Sequence, residues 1–288
     1  KEKARRVLNL PGSFGPDFDP SVFIKPEQEN NREANLDNQI REAALMSGFD
    51  LEERERSASY FQQNEQTLYE KVNGIYKDQV EIMSIEKALQ SYDWLWEYWW
   101  QAVPVDQDKY TAYTELAQKG GYFIHILPGA KVELPIQSCL LLSENESSQR
   151  VHNIVIAEEN SQAEIISGCT TVPQVDTGMH LGVSEFFIKR GASLSFTMIH
   201  NWAEDMAVRP RSVARVEEGG LFLNNYVCMK PVRSLQMYPT THLVGDNAIA
   251  RFYSIIVGSP GSEYDMGGRV YLKKPGTQTE IVARTISN

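Results

Sequence analysis

The sequence is short of several things that would announce a class at once. It has three cysteines in 288 residues and no Cys-x-x-Cys pair, which argues against a disulfide framework or a zinc finger and leaves reduced thiols as the expectation. No run of 18 apolar residues occurs, so no stretch reads as a membrane-spanning helix. The opening KEKARRVLNLPG has no apolar h-region, which predicts no secretion signal and a cytoplasmic protein. Basic residues are scarce: 28 Lys and Arg stand against 38 Asp and Glu. The excess of acid is uneven, with a net charge of -8 over residues 1–119 and -2 over residues 120–288. Without a basic stripe, a nucleic-acid partner is not expected. Common catalytic signatures are missing as well, with no HxH pair, GxSxG or P-loop lysine. Gly120-Gly121 and Gly267-Gly268 read as turns, not phosphate cradles.

The second half also lacks a helical period, and what it has instead is repetition. Five apolar pairs, each joined by a short polar or glycine turn, follow one another: NIVIAE-ENSQ-AEIISG, EFFIK-RGAS-LSFTMIH, SVARV-EEGG-LFLNNYVC, THLV-GDN-AIARFYSIIVG and RVYLK-KPGT-QTEIVARTI. Marked by Asn160, Gly191, Gly219, Asp246 and Gly276, the turns recur every 31, 28, 27 and 30 residues. Such a period marks a solenoid, whose units bury their apolar faces only against neighbours. Leu194, Phe196 and Met198 alternate with Ser195, Thr197 and Ile199, which is the two-residue period of a strand. The prediction is a mainly β protein, a parallel β-helix over 111–288 behind a helical and extended region over 1–110. An antiparallel jelly roll with coincidental spacing is the alternative.

In the first region, residues 11–35 are rich in Pro, Gly, Asn and acids and predict an extended segment. A helix is predicted over 37–47, capped by Asp37 or Asn38 and ended by Gly48. LYEKVNGIYKDQVEIM predicts a hairpin turning at Asn73-Gly74. A second helix over 84–101 carries Trp94, Trp96, Tyr98, Trp99 and Trp100, whose density predicts packing against a larger body.

Nine residues beyond three of the turn markers stand Cys169, His200 and Cys228, and Cys139 lies 30 residues before Cys169. Rungs of a parallel coil stack about 4.8 Å apart. These residues therefore predict a ladder of soft ligands suited to iron, zinc or sulfur transfer. The bland reading is that buried cysteines serve as small hydrophobes. The acid pairs Glu158-Glu159 and Glu217-Glu218 fall at turns and predict surface charge.

SGCTTVP around Cys169, HLGVSEFFIKRGASLSFTMIHNW, GDNAIARFYSIIVG and DMGGRVYLKKPGTQTEIVARTIS, in this order, resemble the core of the SufB/SufD family of iron–sulfur cluster assembly scaffolds. GPDFD, SIEKALQSYDWLWEYWW, DKYTAYTEL and GGYFIHILPGAKVELPIQ resemble its shorter archaeal and bacterial members. The resemblance implies a right-handed parallel β-helix, a SufC-like ABC ATPase partner and a second scaffold chain in a homodimer or SufB/SufD-like pair. It also implies a possible sulfur donor protein, and an iron–sulfur cluster assembled transiently instead of held. Cys169 matches the family's sulfur-receiving cysteine. Its Gln-Asn-Trp element stands here as His200-Asn201-Trp202, and its Arg and Asn one rung earlier as Leu141 and Ser143. The resemblance also implies further coil and C-terminal helices past Asn288.

The expected function is thus a non-enzymatic scaffold, with Cys169, His200 and Trp202 as site residues and Cys228 as a further cofactor contact. The alternative is a β-helix hydrolase or lyase acting on polysaccharide, which needs clustered carboxylates in a cleft. The last unit, RVYLKKPGTQTEIVARTISN, predicts end-to-end pairing with a second copy.

Overall fold

In the computed structural model, which describes residues 1–12, 15–23, 38–117, 120–230 and 232–287, the chain folds as a parallel β-solenoid of about six turns. Short helices α1 (Glu2–Val7) and α2 (Asn38–Met46) come first. The expected helix over 37–47 is present, although Asp37, like residues 24–35 of the extended stretch, lies outside the described residues.

Strands β1 (Ala58–Gln63) and β2 (Gln66–Val72) form a hairpin, and β3 (Val80–Ser84) follows. The hairpin expected at Asn73-Gly74 is therefore misplaced. β2 pairs with β1, whereas β3 pairs antiparallel with β4 (Tyr122–Ile126) in the other sheet. Between β2 and β3 the side chain of Asn73 accepts the Ile75 N–H and opens a 3-10 turn over Gly74–Tyr76. Asn-Gly here starts a crossover between sheets instead of a tight return.

The long aromatic helix is also corrected. An α-helix, α3 (Ile85–Ser91), gives way at Tyr92 to a 3-10 turn over Asp93–Glu97. The reason is the coil beneath: Tyr98 meets Phe187 edge-on at 4.8 Å, and Trp99 and Trp100 close over His152 at 4.0 and 4.4 Å. No single helical face could deliver all three rings. Trp100 takes a left-handed φ of 56°, held because fully buried Glu185 accepts the N–H groups of Trp100, Ala102 and Val103 and faces His152 Nε2 at 2.8 Å. The packing expectation holds for these aromatics, while Trp96 stays 54% exposed.

After α4 (Lys109–Ala117) the coil winds through β5 (Ile136–Leu142), β6 (Ser147–Ala157), β7 (Gln162–Thr171), β8 (Thr177–Ile188), β9 (Ser193–Asn201), β10 (Asp205–Val208), β11 (Arg211–Val216) and β12 (Leu221–Cys228). It continues through β13 (Ser234–Met237), β14 (Thr240–Leu243), β15 (Ile249–Gly258), β16 (Glu263–Met266), β17 (Arg269–Leu272) and β18 (Gln278–Ser287). One sheet stacks β18-β15-β12-β9-β7-β5 in parallel, with β1 and β2 closing its end. In the other, β8 is one long strand, but each later rung is split in two, as β10/β11, β13/β14 and β16/β17. The splits fall at Arg209-Pro210, Tyr238-Pro239 and Gly267-Gly268. Proline has no N–H for a ladder, and glycine weakens one.

Left-handed backbone occurs at Asn160, Gly191, Gly219, Asn247 and Gly276. These are the predicted turn markers, with Asn247 replacing Asp246. Around them, Arg190 pairs with Glu159 at 2.9 Å and Lys189 with Glu217 at 3.5 Å. The acid pairs thus flank the basic pair of the rung between them.

Candidate functional site

On β9 the even positions from Leu194 to His200 face the lumen, and Leu194 and Phe196 bury there, Leu194 in register with Ala163 and Phe222 and Phe196 with Ile165 on the neighbouring rungs. At the end of the same face the register pairs Cys169 with His200 and His200 with Cys228. The three residues expected to stack do so, inside the coil, and all are buried.

Cys139 does not join them. It pairs with Gly168, while Leu140 is the partner of Cys169. A slip of one residue turns a side chain to the opposite face, and Cys139 Sγ instead meets Ser47 Oγ at 3.7 Å beneath the end of α2. Gly168 takes part in the same contact. A Cβ there would stand 2.4 Å from the Ser47 carbonyl oxygen, so the Gly-Cys pair lets a helix lie on the outside of the sheet while the thiol points in.

Residues that sequence reasoning missed complete the column. Cys169 donates its S–H to Met198 Sδ at 3.6 Å, and Tyr226 Oη lies 2.8 Å from His200 Nδ1. Met198 and Tyr226 are paired across the strands two residues before His200 and Cys228, so strand parity could have found them. Cys228 donates to the Lys230 carbonyl at 3.4 Å. Trp202 sits just past β9, fully buried, with its ring 4.8 Å from His180 and 5.8 Å from His200. Its Nε1–H has no partner among the described residues, and a native structure with such a donor asks for an explanation. His180 Nδ1 is held by Gln149 Oε1 at 3.0 Å. One rung earlier, Leu141 is buried and the Ser143 hydroxyl is engaged by Gln63 and Asn64.

The electrostatics are those of a dry interior. Burial pushes Cys139 up to about 12 and Cys228 up to about 11, and lifts Cys169 well above the ordinary thiol value. Burial also depresses His180 to about 3, and burial together with nearby His180 holds His200 well below the usual imidazole range. The column therefore holds neutral thiols and neutral imidazoles at physiological pH. Since the thiolate is the reactive form, thiols held protonated by burial in this way are poorly reactive.

Among the described residues, no cluster of three or more His, Cys, Asp or Glu is arranged to hold a metal ion. The soft residues stack in register without converging as a ligand set. Nor do the carboxylates at the turns line a cleft: Glu159 and Glu217 are engaged by Arg190 and Lys189. An apolar cavity of about 170 Å³ runs inside the coil from Met198 and Tyr226 to Ile281 and Ala283 on the last rung. No described helix is long and apolar enough to cross a membrane.

Comparison with known proteins speaks to the same stretch. The family described as "SUF system FeS cluster assembly, SufBD core domain" matches residues 140–288. An iron–sulfur cluster assembly SufBD family protein of Methanothermobacter thermautotrophicus is 41% identical over 99% of this chain and 71% of the relative. One from Archaeoglobus fulgidus is 47% identical over 83% of this chain and 63% of its own length. The iron–sulfur cluster assembly protein SufB of Bacillus subtilis is 26% identical over 66% of this chain and 41% of its length. By profile and by identity, the chain belongs to the SufBD family of iron–sulfur cluster assembly proteins.

Proposed function

We propose that this chain is a non-enzymatic scaffold on which an iron–sulfur cluster is built, with Cys169 as the sulfur acceptor. It works in the cytoplasm with a SufC-like ABC ATPase and a second scaffold chain, and the cluster is cargo that leaves. The observation that carries the reading is the inward column of Cys169, His200 and Cys228, in register on successive rungs.

The chemistry is a sulfur transfer without net redox change. The Cys169 thiolate attacks the outer sulfur of a donor persulfide, the donor's S–S bond breaks, and the donor leaves as a thiolate that takes up the proton Cys169 released. Cys169 then carries the persulfide. Because Cys169 is fully buried and its thiol is protonated, this step requires the coil to open, and the nucleotide-driven partner supplies the work.

Anaerobic co-purification with the partner ATPase, followed by iron and sulfide analysis, is the test. The reading expects both elements in the wild-type complex and their loss with Cys169→Ser. A complex that carries as much cluster with Cys169→Ser as without it would overturn the reading.

A further inference from the structure

The reading of Cys169 as sulfur acceptor leaves open what His200 does beside it. We infer that Tyr226 is a positioning residue of the column: its hydroxyl holds His200 with the proton on Nε2, so that His200 meets sulfur on Cys169 as a hydrogen-bond donor and not as a base. The inference rests on the sulfur-acceptor reading and deepens it.

The geometry is a buried two-group network. Tyr226 Oη and His200 Nδ1 are 2.8 Å apart, both side chains are buried, and the rings meet edge-on at 5.0 Å. The phenol hydrogen has two acceptors to choose from, the Nδ1 lone pair and the sulfur of nearby Cys228. A neutral thiol sulfur is a weak acceptor and an imidazole lone pair a good one. Cys228, for its part, gives its own hydrogen to the Lys230 carbonyl. The phenol therefore donates to Nδ1. Burial keeps the phenol and the imidazole uncharged, and a neutral imidazole that accepts at Nδ1 carries its hydrogen at Nε2.

The consequence is that His200 offers sulfur a donor and not a base. His200 is paired in register with Cys169 on one side and Cys228 on the other, and Trp202, whose Nε1–H has no partner among the described residues, has its ring 5.8 Å from that of His200. Such a pair stabilises negative charge on an outer sulfur atom, and charge-assisted hydrogen bonds are the stronger kind.

The test uses the full chain, prepared without oxygen, and has two readouts. Labelling the histidines with nitrogen-15 gives their tautomers by NMR, and with five histidines in the chain the His200 signal is assigned by its loss in His200→Gln. The expected result is a proton on Nε2 in the wild type and a mixture of tautomers in Tyr226→Phe. The second readout is the lifetime of a persulfide loaded on Cys169 from inorganic polysulfide in the complex with the SufC-like ATPase and nucleotide, the condition under which the coil is proposed to open. It should shorten about tenfold in Tyr226→Phe, as expected for one lost charge-assisted hydrogen bond. In the His200→Gln background, whose amide donates without help, Tyr226→Phe should change nothing further, so the effect is separable from a general loosening of the core. A proton on Nδ1 in the wild type, an unchanged tautomer in Tyr226→Phe, or an equal loss in both backgrounds would overturn the inference. If wild-type Cys169 takes up no sulfur, the acceptor reading falls and this one with it, and the nitrogen spectrum tells that failure apart.

Discussion

At the level of single residues, the protein separates three cysteines by environment. Cys139 lies under α2, while Cys169 and Cys228 lie in the lumen, and burial raises all three thiols. Iodoacetamide at pH 8 should therefore label none of them readily in the folded chain and all three in denaturant. Rapid native labelling of Cys169, read by mass spectrometry, would mean that the coil is already open. Part of this was legible beforehand. Counting from the turns placed Cys169, His200 and Cys228 in one column because strand parity survives from rung to rung. Cys139 escaped the count because β5 and β7 pair 29 residues apart, one less than the 30 that separate Cys139 from Cys169, and a period of about thirty cannot resolve a slip of one. Tyr226 and Met198 were missed because an aromatic and a thioether in a core segment look like packing until the hydroxyl and the sulfur are placed. Gly168 makes its own prediction: Gly168→Ala would drive a Cβ into the Ser47 backbone and destabilise the protein by about 1–3 kcal/mol, as overpacking does, seen as a lower denaturation midpoint.

At the level of elements, β1 in the sheet and α2 upon it join the first hundred residues to the coil, and two further fastenings add to them. One is the aromatic segment over His152 and Glu185. Trp99 is half-buried on His152, so Trp99→Ala should cost about 2–3 kcal/mol, below the ~3–5 kcal/mol of a fully buried ring. Trp96, mostly in solvent, should cost less than about 0.5 kcal/mol. Equal effects in urea melts would contradict this division. The helical pattern read through Trp94–Trp100 failed because the glutamate that bends the segment lies 85 residues away in the sequence.

The other fastening is His125 on β4, held between Glu81 on β3 at 2.9 Å and Glu158 at 3.2 Å, with the Trp94 ring 5.5 Å away. Burial lowers the pKa of His125, but its hydrogen bonds to Glu158 and Glu81 outweigh that and leave it raised. Glu158 is lowered, first by its bond to His125. A raised histidine contributes stability that is complete below its unfolded value of about 6.5 and is lost as pH rises through the higher folded value. A lowered carboxyl contributes stability above its ordinary value of about 4.3 and loses it as pH falls through the depressed one. The bridge should therefore be strongest between about pH 4.5 and 6.5. Above that window the unfolding free energy should decline with a slope of no more than about 1.4 kcal/mol per pH unit. His125→Gln should remove that decline, and an unchanged slope in urea titrations would refute the assignment.

At the level of the whole molecule, the repeat was the most readable feature, since left-handed turns need glycine or asparagine and mark each rung in the sequence. The splitting of the later rungs at Pro210 and Pro239 was equally present in the text but carries meaning only once the strands are aligned. The homodimer proposed from the family resemblance is tested by light scattering at micromolar concentration: a dimer of this chain is the expected result, and a monomer at every concentration would remove that pairing.

The central claim is that sulfur arrives at Cys169, and its position can be read directly. The protein is produced without oxygen together with the proposed SufC-like ATPase and a persulfide-bearing donor, then digested and its cysteine peptides mapped by mass spectrometry. The account predicts the gain of one sulfur atom on the peptide holding Cys169, dependent on nucleotide, with Cys139 unmodified. Sulfur found on Cys139 or Cys228 instead, with Cys169 bare, would contradict it.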